Sequence, residues 1–537
     1  MRASYVHGAS ATPLLGQTIG ENLDRAVARF GEREALVSCH QNRRYTYAQL
    51  GEAVDRLARA LLASGLAPGD RLGIWSPNRA EWVLVQYATA KAGIVLVNLN
   101  PAYRTSELEY ALRQSGCRAL IAAPAFKTSD YAAMIADVRD GLPELERVVL
   151  FDSPEWEELA AGDAAEVEVE LPDCQFDDPI NIQYTSGTTG FPKGATLSHA
   201  NILNNGSFVA EGCGYDEQDR ICIPVPFYHC FGMVMGNLGA TTHGACMVIP
   251  EAAFEPEATL RAVEQERCTS LYGVPTMFIA ELEHPRFADY DLSSLRTGIM
   301  AGSPCPIDTM RRVVDEMHME EVTICYGMTE TSPVSTQTAP GDPLDKRVGT
   351  VGRVHPHVEI KVVDPETGAI VEREQPGELC TRGYSVMLGY WNDEKRTDEV
   401  LDRARWMHTG DLAVMDEEGY LRIVGRIKDM VIRGGENLYP REVEEFLYGH
   451  PDIADVQVVG VPDARYGEEL MAWIVPRGGA EVDRDSVAEF CRGRIAHHKV
   501  PRYVACLDEF PMTVTGKVQK YKLRELAVER LGLEQPA

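Results

Sequence analysis

Between Asp70 and Ala123, short apolar segments and helical stretches alternate at a spacing that few folds accept. Arg71–Trp75 reads as a strand, and Ala80–Ala92, with apolar residues along one side, reads as a helix. The run Gly93–Val97, rich in β-branched residues, reads as a buried strand. Thr105–Ser115 reads as a second helix, with Ser106 as N-cap and Glu109 as its capping-box partner. Ala119–Ala122 and Glu146–Phe151 follow as strands. This order predicts a mostly parallel sheet with helices on both faces.

The acidic stretch 152–178 has little periodicity and is expected to be a surface connection. Ile180–Tyr184 is the next strand, and further α/β material runs to about Val334. From Gly349 to Gly425 strands with glycine-rich turns dominate, Val358–Val363 among them, which suggests a smaller β-rich subdomain. Beyond Gly425 the pattern changes again. Pro440 opens a helix whose apolar face is Val443, Phe446 and Leu447. Asp455–Val461 is a strand, Ser486–Arg494 a helix and Tyr503–Leu507 a strand. A chain of 537 residues exceeds one ordinary core. The expected fold class is α/β: a large N-terminal domain of several subdomains with mostly parallel sheets, then a small α+β domain.

Composition narrows the function. Hydrophobic residues make up 45% and charged residues 25%, the proportions of a soluble globular protein. The longest apolar runs are far shorter than a membrane span needs, and the N-terminus shows no apolar leader core, so cytoplasm is the expected location. The formal net charge is −29, from 81 acidic and 52 basic residues, and no run of five Lys or Arg occurs. Such a surface repels nucleic acid. The thirteen cysteines are scattered without a C-x-x-C pair and read as reduced thiols. Cys222, Cys230 and His229 lie close in sequence, but no second pair completes a four-ligand site.

The most informative stretch is Tyr184-Thr185-Ser186-Gly187-Thr188-Thr189-Gly190-Phe191-Pro192-Lys193-Gly194. Glycines let backbone N–H groups approach an anion, hydroxyls add donors and the lysine supplies a point charge. The stretch follows a strand, where α/β proteins bind ligands. It is not a Walker A loop, because Gly-Lys-Ser/Thr is absent. The segment resembles the signature loop of the adenylate-forming superfamily, which includes acyl-CoA synthetases, peptide-synthetase adenylation domains and beetle luciferases.

Other segments carry the same resemblance in order. Pro226-Phe227-Tyr228-His229-Cys230-Phe231-Gly232 is similar to the family segment lining the acyl pocket, which puts His229 beside the reacting carboxylate. Ala301-Gly302-Ser303-Pro304 resembles the turn against adenine and the acyl carbonyl. Tyr326-Gly327-Met328-Thr329-Glu330-Thr331 resembles the segment in which Tyr326 would stack on adenine, Thr329 contact the α-phosphate and Glu330 help hold Mg²⁺. In Trp406–Leu412 the resemblance gives Asp411 the ribose hydroxyls, and in Gly425–Asp429 it gives Arg426 the ribose side and Lys428 the hinge. Gly434 and Gly435 would approach the pantetheine arm, and Lys517, in Pro511–Lys517, would be the catalytic lysine.

The resemblance therefore implies a carboxylic acid:coenzyme A ligase. It would form an acyl-adenylate from ATP with release of pyrophosphate, then an acyl thioester with release of AMP. Thr185, Ser186, Gly187, Thr188, Thr189, Gly190 and Lys193 would bind the nucleotide together with Gly302, Tyr326, Asp411 and Arg426. Thr185 and Glu330 would hold Mg²⁺. The domains would be 1–427 and 428–537, the second mobile about Lys428. Among subfamilies the sequence looks most like the medium-chain or general fatty-acyl-CoA synthetases. Met233, Met300 and Met328 flank the pocket motifs, and Gly236, Gly239 and Ala240 would leave room for an acyl chain. An aryl or short-chain acid, or a carrier-protein phosphopantetheine as acceptor, remains the alternative. Monomer and homodimer are both compatible with the sequence.

Overall fold

A computed structural model describes residues 2–162, 169–185, 192–303, 305–433, 436–463, 465–512 and 518–533, without the side chains of 436 and 437. The chain divides into two compact units. The larger holds Val6–Ile360 and Thr381–His408; the smaller holds the segment through Tyr5, Lys361–Cys380 and the chain from Thr409 onward.

Two sheets organise the larger unit. In the seven-stranded sheet, Pro179–Thr185, Val95–Asn98, Arg71–Trp75, Cys117–Ala122 and Arg147–Leu150 run parallel in that spatial order. Lys193–Ser198 and Gly389–Tyr390 complete one side in antiparallel pairing. The nine-stranded sheet has a parallel centre that includes Arg220–Cys222, Ser270–Gly273, Thr297–Ala301 and Glu321–Gly327. The expectation of mostly parallel sheets holds, and strands foreseen between Asp70 and Tyr184 fall within about two residues of their places.

Three local expectations change. The helix Ala80–Ala92 is buried on every face, not along one side. Its charged and amide side chains are each paired: Glu81 with Arg43 and Arg79, Gln86 with the Met233 carbonyl, and Lys91 with Asp24 and Asp55 at the protein surface. In Thr105–Ser115 the N-cap is Arg104, whose N–H donates to Glu107 at 2.9 Å, so Ser106 lies inside the first turn. The acidic stretch 152–178 is not all surface connection. Ser153 caps a helix, Pro154–Ala161, which buries Trp156 against Phe151. Eight residues, about two turns, with only Trp156 and Leu159 buried are too few to show as periodicity.

The smaller unit takes most of a five-stranded sheet that includes Val358–Val363, Pro376–Gly383, Met407–Met415 and Leu421–Arg426, as the β-rich reading of this region expected. Beyond it, Ile453–Asp463 and Gly467–Pro476 form a long antiparallel pair with Tyr503–Cys506 parallel beside the second. Helix Pro440–Leu447 buries Val443 and Leu447 against this sheet. All thirteen cysteines are free thiols, and among the described residues no helix is long and apolar enough to cross a membrane. Cys222 and Cys230 belong to different core clusters.

Candidate active site

The strand Pro179–Thr185 ends at Thr185, which is the register partner of Lys193 on the neighbouring strand. The residues 186–191, with Ser186, Gly187, Thr188, Thr189 and Gly190, lie outside the described residues, but their two anchors are fixed. Tyr390 pairs with Ala195 one strand further on, and the Trp391 N–H donates to the Gly194 carbonyl at 2.7 Å. This stacking brings the Lys193 ammonium 5.0 Å from the centroid of the Tyr390 ring.

The strand Glu321–Gly327 delivers the second part. Half-buried Tyr326 is its penultimate residue, and a bulge follows at Gly327. A Cβ on Gly327 would sit 1.7 Å from the Pro333 carbonyl oxygen, so only glycine lets the chain turn back here. The next turn, Thr329–Thr331, is short 3₁₀ helix. The Thr331 hydroxyl pins it by accepting from the Met328 N–H at 3.1 Å and donating to the Pro333 carbonyl at 2.7 Å. Thr329 and Glu330 are thereby held buried, Glu330 at 5% exposure.

The two parts meet at one carboxylate oxygen. Glu330 Oε1 accepts from the Tyr390 hydroxyl at 2.8 Å and from the Thr185 hydroxyl at 3.4 Å. Burial, and then the adjacent Glu330 carboxylate, push the Tyr390 phenol far above its ordinary range, so it remains a donor. A carboxylate and hydroxyls are hard oxygen donors, the chemistry Mg²⁺ prefers, and Glu330 and Thr185 therefore fit that ion. Gly302, which follows Thr297–Ala301 with φ +94°, gives a turn that side chains rarely enter.

His229 sits half-buried in the turn before a π-helix, Phe231–Leu238. The Phe231 N–H donates to its Nδ1 at 3.2 Å, so a neutral ring carries its proton on Nε2. Met233 and Met300 are wholly buried in the core and Met328 is partly buried. Gly236 does not open onto free space: a Cβ there would meet Ile223 Cδ1 at 3.0 Å.

In the smaller unit, Asp411 and Arg426 are register partners on adjacent strands, and Arg426 Nε lies 3.0 Å from Asp411 Oδ1. Asp411 is 8% exposed. Lys428 lies exposed in the 3₁₀ turn Ile427–Asp429. Gly434, Gly435 and Lys517 lie outside the described residues.

The structure therefore joins Thr185, Lys193 and Glu330 in one cluster and Asp411 with Arg426 in another. Sequence reasoning missed Tyr390. Its place depends on pairing with a strand nearly two hundred residues upstream, and no local pattern marks it.

A model of the family described as AMP-binding enzyme matches residues 23–391, and one of the AMP-binding enzyme C-terminal domain matches 442–517. The chain is 48% identical to the putative acyl-CoA synthetase YngI of Bacillus subtilis (strain 168), over 97% of this chain and 99% of that one. It is 46% identical to the mitochondrial medium-chain acyl-CoA ligase ACSF2 of Danio rerio, over 99% of this chain and 92% of the relative. The crystal structure of the anthranilate CoA ligase AuaEII in complex with anthranoyl-AMP superposes with a TM-score of 0.87 at 27% identity, covering 97% of this chain and 99% of that one. The chain belongs to the family of AMP-binding, adenylate-forming enzymes, and it is an acid–thiol ligase of the acyl-CoA synthetase kind.

Proposed function

We propose that the enzyme activates a medium-chain fatty acid with ATP and transfers the acyl group to coenzyme A. The observation that carries this reading is the Thr185–Glu330–Tyr390 cluster beside Lys193. The similarity to a medium-chain acyl-CoA ligase supports the chain length.

The acid and the α-phosphate are both anions, so attack of one on the other needs positive charge and hydrogen-bond donors held in place beforehand. Lys193 faces the leaving pyrophosphate, and Thr329 donates to the α-phosphate. Glu330, oriented by Tyr390, and Thr185 hold Mg²⁺, which when bound neutralises phosphate charge. His229 donates from Nε2 toward the acyl carboxylate. Tyr326 packs on adenine beside Gly302, and Asp411 and Arg426 take the ribose. Lys517 bridges the carboxylate and the α-phosphate. The carboxylate oxygen bonds to phosphorus and pyrophosphate departs. The thiol of coenzyme A then attacks the acyl carbon, and AMP departs.

In this reading the domains are 1–427 and 428–537. Rotation about Lys428 withdraws Lys517 after the first step and brings Gly434 and Gly435 to the pantetheine arm. Thirteen free thiols suit a reducing compartment, and cytoplasm is the proposed location. Monomer and homodimer both fit this site.

The test is pyrophosphate and AMP release with acids from acetate to C16 and benzoate, with and without coenzyme A. Turnover that requires coenzyme A and peaks between C6 and C12 supports the proposal. A single burst of pyrophosphate without thioester for any acid overturns it in favour of a carrier protein as acceptor.

A further inference from the structure

Beneath the site lies a buried polar cluster that the adenylation steps above do not use. Asn98, Asn181 and Gln183 are each at most 2% exposed, and Cys230 and Met233 are as deeply buried. Asn181 Nδ2 donates to Asn98 Oδ1 at 3.0 Å, and Gln183 Nε2 donates to Asn181 Oδ1 at 3.0 Å. Gln183 Nε2 and Asn98 Nδ2 both reach Met233 Sδ, at 3.0 and 3.2 Å. The Cys230 thiol donates to Gln183 Oε1 at 3.2 Å, and Asn98 Nδ2 also donates to the Tyr228 carbonyl at 3.0 Å.

These contacts grip His229 from both sides in the chain. Tyr228 before it is held by Asn98, and Cys230 after it is held by Gln183. The His229 carbonyl accepts from the N–H groups of Gly232 and Met233 at 3.0 and 3.1 Å. The other end of the grip is the strand that carries Gln183 and then ends at Thr185, the residue whose hydroxyl meets Glu330. Buried amides cost desolvation unless fully paired, and an apolar contact of the same volume would fill the space at lower cost. What an amide adds is direction: it fixes distance and angle where a hydrocarbon contact slides.

We propose that Gln183 is a positioning residue that sets the His229 imidazole in register with Thr185 and Glu330. The proposal rests on the reading that His229 faces the reacting carboxylate. Gln183 touches no substrate; it acts through Cys230 and Met233 on the turn between them. A displacement of about 1 Å at a reacting group costs about 100-fold in rate. Losing the Gln183 amide should therefore lower the rate of adenylation without changing the affinity for nucleotide.

The test is acid-dependent ATP–pyrophosphate exchange on the full-length enzyme, with kcat and the KM for ATP measured separately and folding checked by circular dichroism and thermal melting. Gln183→Leu is expected to lower kcat about 10- to 100-fold, with the KM for ATP within about twofold. His229→Ala is expected to lower kcat by a similar factor. Because the two act as one device, Gln183→Leu should cost nothing more in the His229→Ala background. Should Gln183→Leu fail to fold, Cys230 provides the second pair: Cys230→Ser keeps a donor to Gln183 Oε1 and should retain kcat, whereas Cys230→Ala should lower it. Multiplicative losses in the double variant, or equal activity of Cys230→Ser and Cys230→Ala, overturn the role of Gln183 and leave that of His229 standing. No loss in His229→Ala overturns both.

Discussion

The hydroxyl of Tyr390 lies 2.8 Å from Glu330 Oε1, and the same ring carries the Lys193 ammonium 5.0 Å from its centroid. One aromatic side chain thus orients an anion through its edge and accepts a cation on its face. The phenol stays protonated because ionising it would place a second negative charge beside Glu330 in a buried site.

Replacing Tyr390 with Phe keeps the ring and removes only the hydroxyl. Glu330 then loses its shortest hydrogen bond, and the carboxylate that the proposal assigns to Mg²⁺ is less well oriented. The Mg²⁺ concentration for half-maximal pyrophosphate release is expected to rise about tenfold, with maximal rate at saturating Mg²⁺ nearly restored. A Mg²⁺ titration of the two enzymes decides it; superimposable curves would remove Tyr390 from ion binding.

Lys517→Ala separates the two half-reactions. Adenylation should fall by about 100- to 1000-fold, the scale for removing one preorganised charge from a transition state. Thioester formation from supplied acyl-adenylate and coenzyme A should remain within about twofold, since the thiol attack does not need that ammonium. Equal loss of both steps would sink the division of labour.

Gly327→Ala tests the turn that presents Thr329 and Glu330. The new methyl would collide with the Pro333 carbonyl, backbone against backbone, so no side-chain rotation relieves it. A loss of about 3 kcal/mol is expected, read as a lower denaturation midpoint in urea. An unchanged midpoint would show that the turn has freedom the structure does not display.

Two buried histidines make the fold acid-sensitive. Burial lowers His199 to about 4 and His355 to about 3, from an ordinary 6.5. As pH falls below 6.5 the unfolded chain binds protons that the native state refuses, so stability is complete above that pH and falls as pH drops toward 4. Each histidine should cost about 2 kcal/mol by pH 5. Urea melts at pH 7.5 and pH 5 test this, and His199→Gln should reduce the pH dependence by one proton's share. A dependence untouched by His199→Gln would mean that His199 charges without unfolding the protein.

What the sequence reveals follows the range of the interactions involved. Arg71–Trp75 and Ala80–Ala92 match their expected bounds because their ends are marked locally: Pro77 and Asn78 separate them, and Gly93, in the left-handed region, closes the helix. The helix Pro154–Ala161 escaped notice because its order comes from Trp156 packing on Phe151, not from repetition. Thr185 and Lys193 stood out because their segment is dense in phosphate-binding residue types, and Glu330 because its segment resembles that of the adenylate-forming superfamily. Tyr390, Asn98 and Gln183 did not, since an aromatic or an amide acquires its meaning only from what faces it. The burial of Ala80–Ala92 on all sides was hidden likewise: Glu81, Gln86 and Lys91 each read as solvent-facing until their partners are known.

Thr185 and Lys193 are cross-strand partners, so the separation of the two ends of the intervening segment is set by the sheet and not by the segment itself. Closing a chain between two points costs entropy, and here that cost falls on strand pairing which the core needs anyway. The two boundaries of the segment are therefore defined by the sheet alone. An exchange of residues 186–191 for a stretch of equal length would leave both splice points in their strand pairing, which makes Thr185 and Lys193 natural boundaries for recombination and library design.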